Sequence, residues 1–144
     1  MNLQEQAISW RRTFQQPFEI DQRDEYDRAK VIKMQRKLIR EECEEVDDAI
    51  TEYFYALEHR EHLSFGIEVD TKGMRIEILK ELADVVFVCF QLAAYMGMDL
   101  LTAMFRVFLS NMSKLDSEGR PIFREDGKIL KGPNYKEPNL EDLI

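Results

Sequence analysis

The chain has 144 residues, of which 44% are hydrophobic and 33% charged, and its net charge is −8. These values are typical of one folded globular domain, and an acidic chain without a basic stripe or an aromatic RNA-binding signature argues against a nucleic-acid partner. Its two cysteines have no CxxC spacing, which favours a reduced, cytoplasmic protein. We expect a single domain over residues 1–144, without a signal peptide and without the roughly 18-residue apolar run of a membrane span.

The first half of the chain predicts two helices, because its apolar residues recur at helical spacing. The first covers residues 3–14 and ends before Pro17, since proline disfavours helix at the residue before it. The second covers residues 28–59 and contains neither Gly nor Pro, so it is predicted as one long helix. Residues 60–73 lose the helical period and are predicted as a loop.

Two further helices are predicted in the second half, over residues 74–97 and 100–112. Gly97 suits the position after a helix end, and Asp99 suits the N-cap of the next helix. Between Leu82 and Met96 the only polar residues are Asp84 and Gln91. A helix that is apolar on nearly every face is surrounded, by its own chain or by another subunit.

The last thirty residues change character. Two short apolar runs around Asp126-Gly127, within residues 121–130, predict a β-hairpin, and an irregular tail follows. The fold class is therefore all-α: a bundle of about four helices, one of them long, with a short C-terminal hairpin. The apolar third helix predicts that the bundle core is oligomeric.

Several carboxylates of the long helix lie where apolar residues are expected. At about 100° per residue, Glu42 falls inside the apolar stripe, Glu41 and Glu45 fall at its edge, and Glu44 faces away. A run of glutamates is commonly a solvated helix face, and this interpretation suits Glu44. It does not suit Glu42, because burying an unpaired carboxylate costs several kcal/mol of folding free energy.

The third helix repeats the conflict, since Asp84 lies among apolar neighbours and Glu81 lies one turn earlier on the same face. A buried salt bridge to a basic residue of the second helix is one solution (Arg36, Lys37 or Arg40). The other is a hard divalent cation, Mg²⁺ or Mn²⁺, held by oxygen ligands. The chain lacks the Glu-x-x-His pairs of a di-iron bundle and the Cys and His ligands that zinc prefers.

The spacing Glu41-Glu42-x-x-Glu45 followed by Glu81-x-x-Asp84 resembles the EExxE…ExxD signature of the all-α nucleoside triphosphate pyrophosphatases. That superfamily includes MazG, the phosphoribosyl-ATP pyrophosphohydrolases and the dimeric dUTPases. The segments 110–115, 126–135 and 138–140 are similar to compact MazG-like proteins of phages, including cyanophages. The resemblance covers roughly residues 33–140, and the gap between the two motifs is longer here than is usual.

The resemblance implies an enzyme that hydrolyses a nucleoside triphosphate to the monophosphate and pyrophosphate with Mg²⁺, or with Mn²⁺ as a substitute. Glu42, Glu45, Glu81 and Asp84 are the implied metal ligands, and Glu41 is a candidate for orienting or deprotonating the attacking water. Asn111 and Lys114 resemble the family's substrate-contacting pair, although a lysine also suits a helix C-terminus. Lys128 and Lys131 are further candidates for phosphate contacts, with a solvated hairpin as the alternative.

The phage-like tail favours canonical deoxynucleotides, with dGTP or GTP first, in remodelling of the nucleotide pool. A dUTPase and a house-cleaning hydrolase of modified nucleotides are alternatives, and phosphoribosyl-ATP is less favoured. A non-catalytic acidic helical interaction module is the alternative of a different class. The family builds its bundle from more than one chain, so a homodimer or homotetramer is expected.

Overall fold

The computed structural model describes residues 1–18, 20, 24–59 and 70–144. They form four helices, and a short 3-10 turn lies near the end of the chain, Glu141–Leu143. The helices are α1 (Leu3–Thr13), α2 (Glu25–Glu58), α3 (Thr71–Met96) and α4 (Leu100–Met112). The predicted all-α class with four helices, one of them long, is confirmed. Within the described ranges, no single helix is long and apolar enough to span a membrane; only α3 and α4 counted together reach that length and composition.

Two helices begin three residues earlier than predicted, because an aspartate caps each of them. The Asp24 side chain accepts a hydrogen bond from the Asp27 backbone N–H at 2.8 Å, and α2 begins at Glu25. The Asp70 side chain accepts one from Gly73 N–H at 2.8 Å, and α3 begins at Thr71. A Cβ at Gly73 would lie 2.2 Å from Asp70 Oδ2, so this glycine makes room for the cap. The rest of the predicted loop, residues 60–69, lies outside the described residues.

Residues 1–95 form one compact unit, whose core surrounds the C-terminal half of α3. Its buried apolar side chains are Ala7, Val88, Phe90, Ala93, Ala94 and Tyr95. Arg11 is fully buried among them: its guanidinium donates to the backbone oxygens of Pro17 and Gln91 and lies 5.4 Å from the centre of the Tyr95 ring. The contacts with Gln91 and Tyr95 hold α1 against the C-terminal half of α3. The N-terminal half of α3 is more exposed.

Residues 96–144 form the second unit, in which the polar side of α4 holds the tail. Arg106 binds the Asp142 carboxylate, with Nη2 2.8 Å from Oδ2, and Ser110 Oγ donates to the Lys136 backbone oxygen at 2.7 Å. As predicted, Asp99 caps α4 by accepting from Thr102 N–H at 2.9 Å, and Gly97 has a φ of +71°. The prediction that all residues form one domain stays a prediction.

The predicted C-terminal β-hairpin is reduced to a turn. Gly127 has a φ of +84° there, and the flanking segments form one isolated antiparallel bridge between Phe123 and Ile129. Both of these side chains are exposed, and an unpacked two-stranded hairpin is marginally stable at best. No β-strand forms in the described part of the chain.

The apolar stripe of α4 is solvent-exposed in this single chain. Side chains at helical spacing along the helix are 37–60% exposed, from Leu101 at the low end to Phe105 at the high end. The other members of the stripe are Met104, Phe108, Leu109 and Met112. An amphipathic helix normally buries such a stripe, so this face of α4 lacks the cover that its sequence predicts.

Candidate metal centre

Three glutamates from two helices converge in the first unit. Glu42 and Glu45 lie one turn apart on α2, and Glu81 faces them from α3. One carboxylate oxygen of each residue lies within 4.8 Å of those of the other two. The structure thus brings together three of the four ligands predicted from the sequence.

The three carboxylates differ in their access to solvent. Glu45 is exposed, Glu42 is half-buried and Glu81 is only 4% exposed. Glu81 Oε1 accepts a hydrogen bond from Lys80 Nζ at 2.6 Å, and this bond holds the pKa of the Glu81 carboxyl below its usual range. Glu81 Oε2 is buried and has no hydrogen-bond partner among the described residues. A buried carboxylate oxygen without a donor carries a desolvation cost that a bound cation would offset.

The pKa of the Glu42 carboxyl shifts in the direction opposite to that of Glu81. The Glu42 pKa is raised, first by burial and then by the negative charges of Glu45, Asp84 and Glu81. Lys80 partly counteracts this shift. One nearby lysine therefore does not cancel these effects, and the folded protein makes the Glu42 carboxyl harder to ionise than a free one.

Asp84 is placed differently from the sequence expectation. Its side chain is 44% exposed and its Oδ2 lies 3.3 Å from Lys80 Nζ, so it is neither buried nor one of the three converging groups. Its neighbours Leu82 and Val86 are also partly exposed, because the described residues do not cover this half of α3. Asp84 still lies near enough to Glu42 to raise the pKa of that carboxyl.

The cation beside the cluster is one that the sequence analysis missed. Arg36, Lys37 and Arg40 were the expected salt-bridge partners, but Lys37 binds Glu41 at 2.9 Å and Lys80 binds the α3 carboxylates. The signal for Lys80 was present, since it precedes Glu81 directly and lies four residues before Asp84. Glu77, one turn before Glu81, also interacts with the Glu81 carboxyl and was likewise missed.

Glu41, the candidate for activating water, stands apart from the convergence. Its side chain is 42% exposed and is held by Lys37 from one turn earlier on α2. It is not among the three carboxylates within 4.8 Å of one another.

The four candidate substrate contacts lie in the second unit. Asn111 is exposed in the last turn of α4, and Lys114 follows that helix. The Lys114 backbone oxygen accepts a hydrogen bond from Gly132 N–H at 2.9 Å, which draws the neighbouring Lys131 towards the end of α4. Gly132 is required for this approach, because a Cβ there would lie 2.3 Å from the Leu115 backbone oxygen.

Lys131 and Lys128 differ in the contacts that they make. Lys131 Nζ lies 4.1 Å from the centre of the Tyr135 ring and 3.7 Å from a Glu137 carboxylate oxygen. Lys128 is exposed on the turn, where its backbone N–H donates to Asp126 Oδ1 at 3.1 Å. Lys131 therefore already has partners within its own unit.

Comparison with known families identifies one match. The family described as phosphoribosyl-ATP pyrophosphohydrolase matches residues 8–109, which are 102 of the 144 residues. The matched range contains all the candidate metal ligands and ends before Asn111 and the three candidate lysines. No curated protein matches the chain.

Proposed function

Since the chain belongs to the phosphoribosyl-ATP pyrophosphohydrolase family, within the MazG-like all-α NTP pyrophosphatases, we propose that it hydrolyses (deoxy)nucleoside triphosphates to the monophosphate and pyrophosphate with Mg²⁺. The family itself indicates a pyrophosphohydrolase acting on a nucleotide-like substrate. The observation that carries the proposal is the convergence of Glu42, Glu45 and Glu81.

The residues present suit a hard divalent cation. Three carboxylates within reach of one another, one with a buried oxygen lacking a donor, supply the all-oxygen ligand set that Mg²⁺ and Mn²⁺ prefer. Asp84 would complete the set, since it already influences the pKa of Glu42. When bound, Mg²⁺ would polarise phosphoryl oxygens and lower the pKa of a coordinated water.

The protein's own groups would have two further roles. Glu41, which precedes Glu42 and is held by Lys37, would accept a proton from the attacking water. Lys80 now supplies part of the positive charge beside Glu81 and Asp84. It would turn towards the anionic substrate once a cation neutralises the carboxylates.

Two substrates of the same chemistry compete in this proposal. The similarity of the C-terminal segment to compact phage MazG-like proteins supports a canonical deoxynucleotide, with dGTP first, in nucleotide-pool remodelling. The description of the matched family supports phosphoribosyl-ATP instead. Both contain the phosphoanhydride bond whose cleavage releases pyrophosphate, so the metal centre serves either one.

We propose a homo-oligomer as the working form. The core of a single chain is small, and α3 and α4 expose large apolar side chains such as Leu82, Phe105 and Phe108. Apolar patches of this extent on a soluble protein are typical of association surfaces. A stable monomer at micromolar concentration in ultracentrifugation would overturn this part of the proposal.

The reaction is tested by measuring pyrophosphate release from a panel of dGTP, the other dNTPs and NTPs, dUTP, modified nucleotides and phosphoribosyl-ATP, with Mg²⁺, with Mn²⁺ and with EDTA. We expect release from at least one triphosphate that requires the metal, and an Asp84→Asn variant that is strongly impaired. Equal activity of Asp84→Asn and the wild type would reject Asp84 as part of the metal site. A non-catalytic interaction module would release no pyrophosphate from any substrate and show no thermal shift with Mg²⁺ and a nucleotide analogue.

A further inference from the structure

The long helix α2 divides sharply by charge. From Arg28 to Arg40 it has six basic residues and no acidic one, and from Glu41 to Glu58 it has eight acidic residues and no basic one. The metal centre accounts for only part of the acidic half. It leaves the basic half, and the acids that do not face α3, without a role.

Basic residues of the first half and acidic residues of the second half both lie on the face of α2 opposite the metal centre. At about 100° per residue, nine charged residues of α2 lie about 120–240° from Glu42 and all nine are exposed; the six of them nearest to Glu42 along the helix form the middle of this face. Among these six, the basic ones are Arg36, Lys37 and Arg40, and the acidic ones are Glu44, Asp47 and Asp48. We call these six residues the charged face of α2.

Most neighbours within this face do not stabilise the isolated helix. Arg40 and Glu44, at the centre, are an attractive pair one turn apart, but Arg36 and Arg40 repel each other, as Glu44 and Asp48 do. In the described part of the chain, the ion pair formed by a member of the face is that of Lys37 with Glu41, which lies just outside it. Opposite charges from outside the chain would offset the repulsion in both halves.

We propose that the charged face of α2 docks against the same face of a second copy of this chain, with the two helices antiparallel. A two-fold axis through the charged face, at the level of residue 42 along the helix, brings the basic half of each helix against the acidic half of the other. Arg40 then lies beside Glu44 of the second copy, Arg36 beside Asp47 and Lys37 beside Asp48. Each pair occurs twice, and a single partner neutralises both halves.

Each end of the proposed interface adds a favourable pair. At the same register, Lys30 lies beside Tyr55 of the second copy, and the Tyr55 side chain is 55% exposed in the single chain. A lysine over a tyrosine ring is a favourable cation–π pair. A small anion such as pyrophosphate would neutralise the basic half but would leave the acidic half unexplained, so a second copy accounts for more of the sequence.

Complementary charge of this kind sets register and orientation more than it sets affinity. The contact extends over about 37 Å of helix, from Lys30 to Tyr55. Two helices packed over that length lie at the low end of specific interface sizes. The association should therefore depend on salt, and it is separate from the apolar association proposed through α3 and α4.

The test uses two charge-reversed full-length proteins. One carries Arg36→Glu and Arg40→Glu, which leaves Lys37 as the one basic residue among the six, and the other carries Glu44→Arg and Asp47→Arg, which leaves Asp48 as the one acidic residue among them. Each should lose one association step in sedimentation-velocity ultracentrifugation at 50 mM salt, with the dissociation constant raised tenfold or more. Mixed in equal amounts, the two should associate again, because every pair in the mixed complex joins opposite charges.

The matched control is the double variant Lys72→Glu with Arg75→Glu on α3. It replaces two basic residues with Glu, so its net charge equals that of the Arg36→Glu, Arg40→Glu variant. It should leave the association step unchanged, and circular dichroism should show that all three variants are folded. Loss of the step in the control as well, or failure of the mixed variants to associate, would overturn the proposal. If the wild type associates identically at 50 mM and 1 M salt and the reversed variants match it, the α2 interface is rejected, while the apolar oligomer and the hydrolase proposal stand.

Discussion

The carboxylate cluster and the C-terminal lysines differ in how the fold holds them. Glu42, Glu45 and Glu81 come from two long helices, within the family match, and their negative charges are brought together. Lys114 and Lys131 lie beyond the match and are held by irregular backbone and by contacts within their own unit. The candidate metal ligands thus lie on long helices within the family match, while the candidate substrate contacts lie on or beside irregular backbone beyond it.

The largest effect is expected at the cluster. Glu42→Gln keeps the size of the side chain but removes a ligand charge, so we expect turnover to fall by about a hundredfold or more, with weaker Mg²⁺ binding. Glu44→Gln is the matched control, because Glu44 is exposed and is not among the converging groups. It should retain nearly full turnover in a pyrophosphate-release assay, and an equal loss in both variants would contradict the assignment.

The second prediction addresses the tail. Gly132→Ala places a methyl group against the Leu115 and Lys114 backbone oxygens, and overpacking of this kind costs about 1–3 kcal/mol. If the tail contacts the nucleotide, the KM for the triphosphate should rise several-fold while kcat changes little. Gly119→Ala is the control, since a Cβ there meets nothing within 4 Å; Gly119 has a positive φ and Gly132 does not, so the control is strained by its backbone and not by overpacking. Equal KM values in the two variants would separate the tail from substrate binding.

A smaller effect is expected for Lys80, which lies beside the carboxylates of Glu81 and Asp84 on α3. Lys80→Gln should lower the Tm of the metal-free protein by about 2–4 °C, because Glu81 and Asp84 lose their nearest positive charge. Mg²⁺ should then raise the Tm by more than it does in the wild type. A metal-induced shift that is smaller than that of the wild type would contradict this role.

The last prediction concerns pH in the metal-free protein. The pKa of Glu42 is raised in the folded state, so this group favours folding when protonated and its contribution is lost as pH rises through the folded pKa. In EDTA, Glu42→Gln should therefore be more stable than the wild type at pH 7, and the difference should shrink towards pH 4. Urea denaturation at the two pH values measures it. The lowered pKa of Glu81 acts in the opposite direction, so Glu81→Gln should not be stabilising at pH 7.

Much of the fold could be predicted from local patterns. The bounds of α4 match the prediction, because the sequence shows both local signals. Asp99 caps the start of α4 with its side chain, and Gly97 ends the preceding helix with a positive φ. The start of α3 was missed because Gly73 was interpreted as a loop residue, whereas it is the residue that Asp70 caps. The hairpin at Gly127 was overestimated, since its turn signal is strong but no packing surface supports its strands.

The sequence alone determined which residues are candidates for the chemistry, because the helical period places Glu42 on the inner face of α2 and Glu44 on the outer face. Only the tertiary structure decided which of them meet. The distance between α2 and α3 depends on packing over many residues, and it brings Glu81 to Glu42 and Glu45 while Asp84 remains half-exposed beside Lys80. Burial of Glu81 Oε2 without a donor is likewise a property of the packed helices, and it is the feature that makes an acidic cluster suited to a cation.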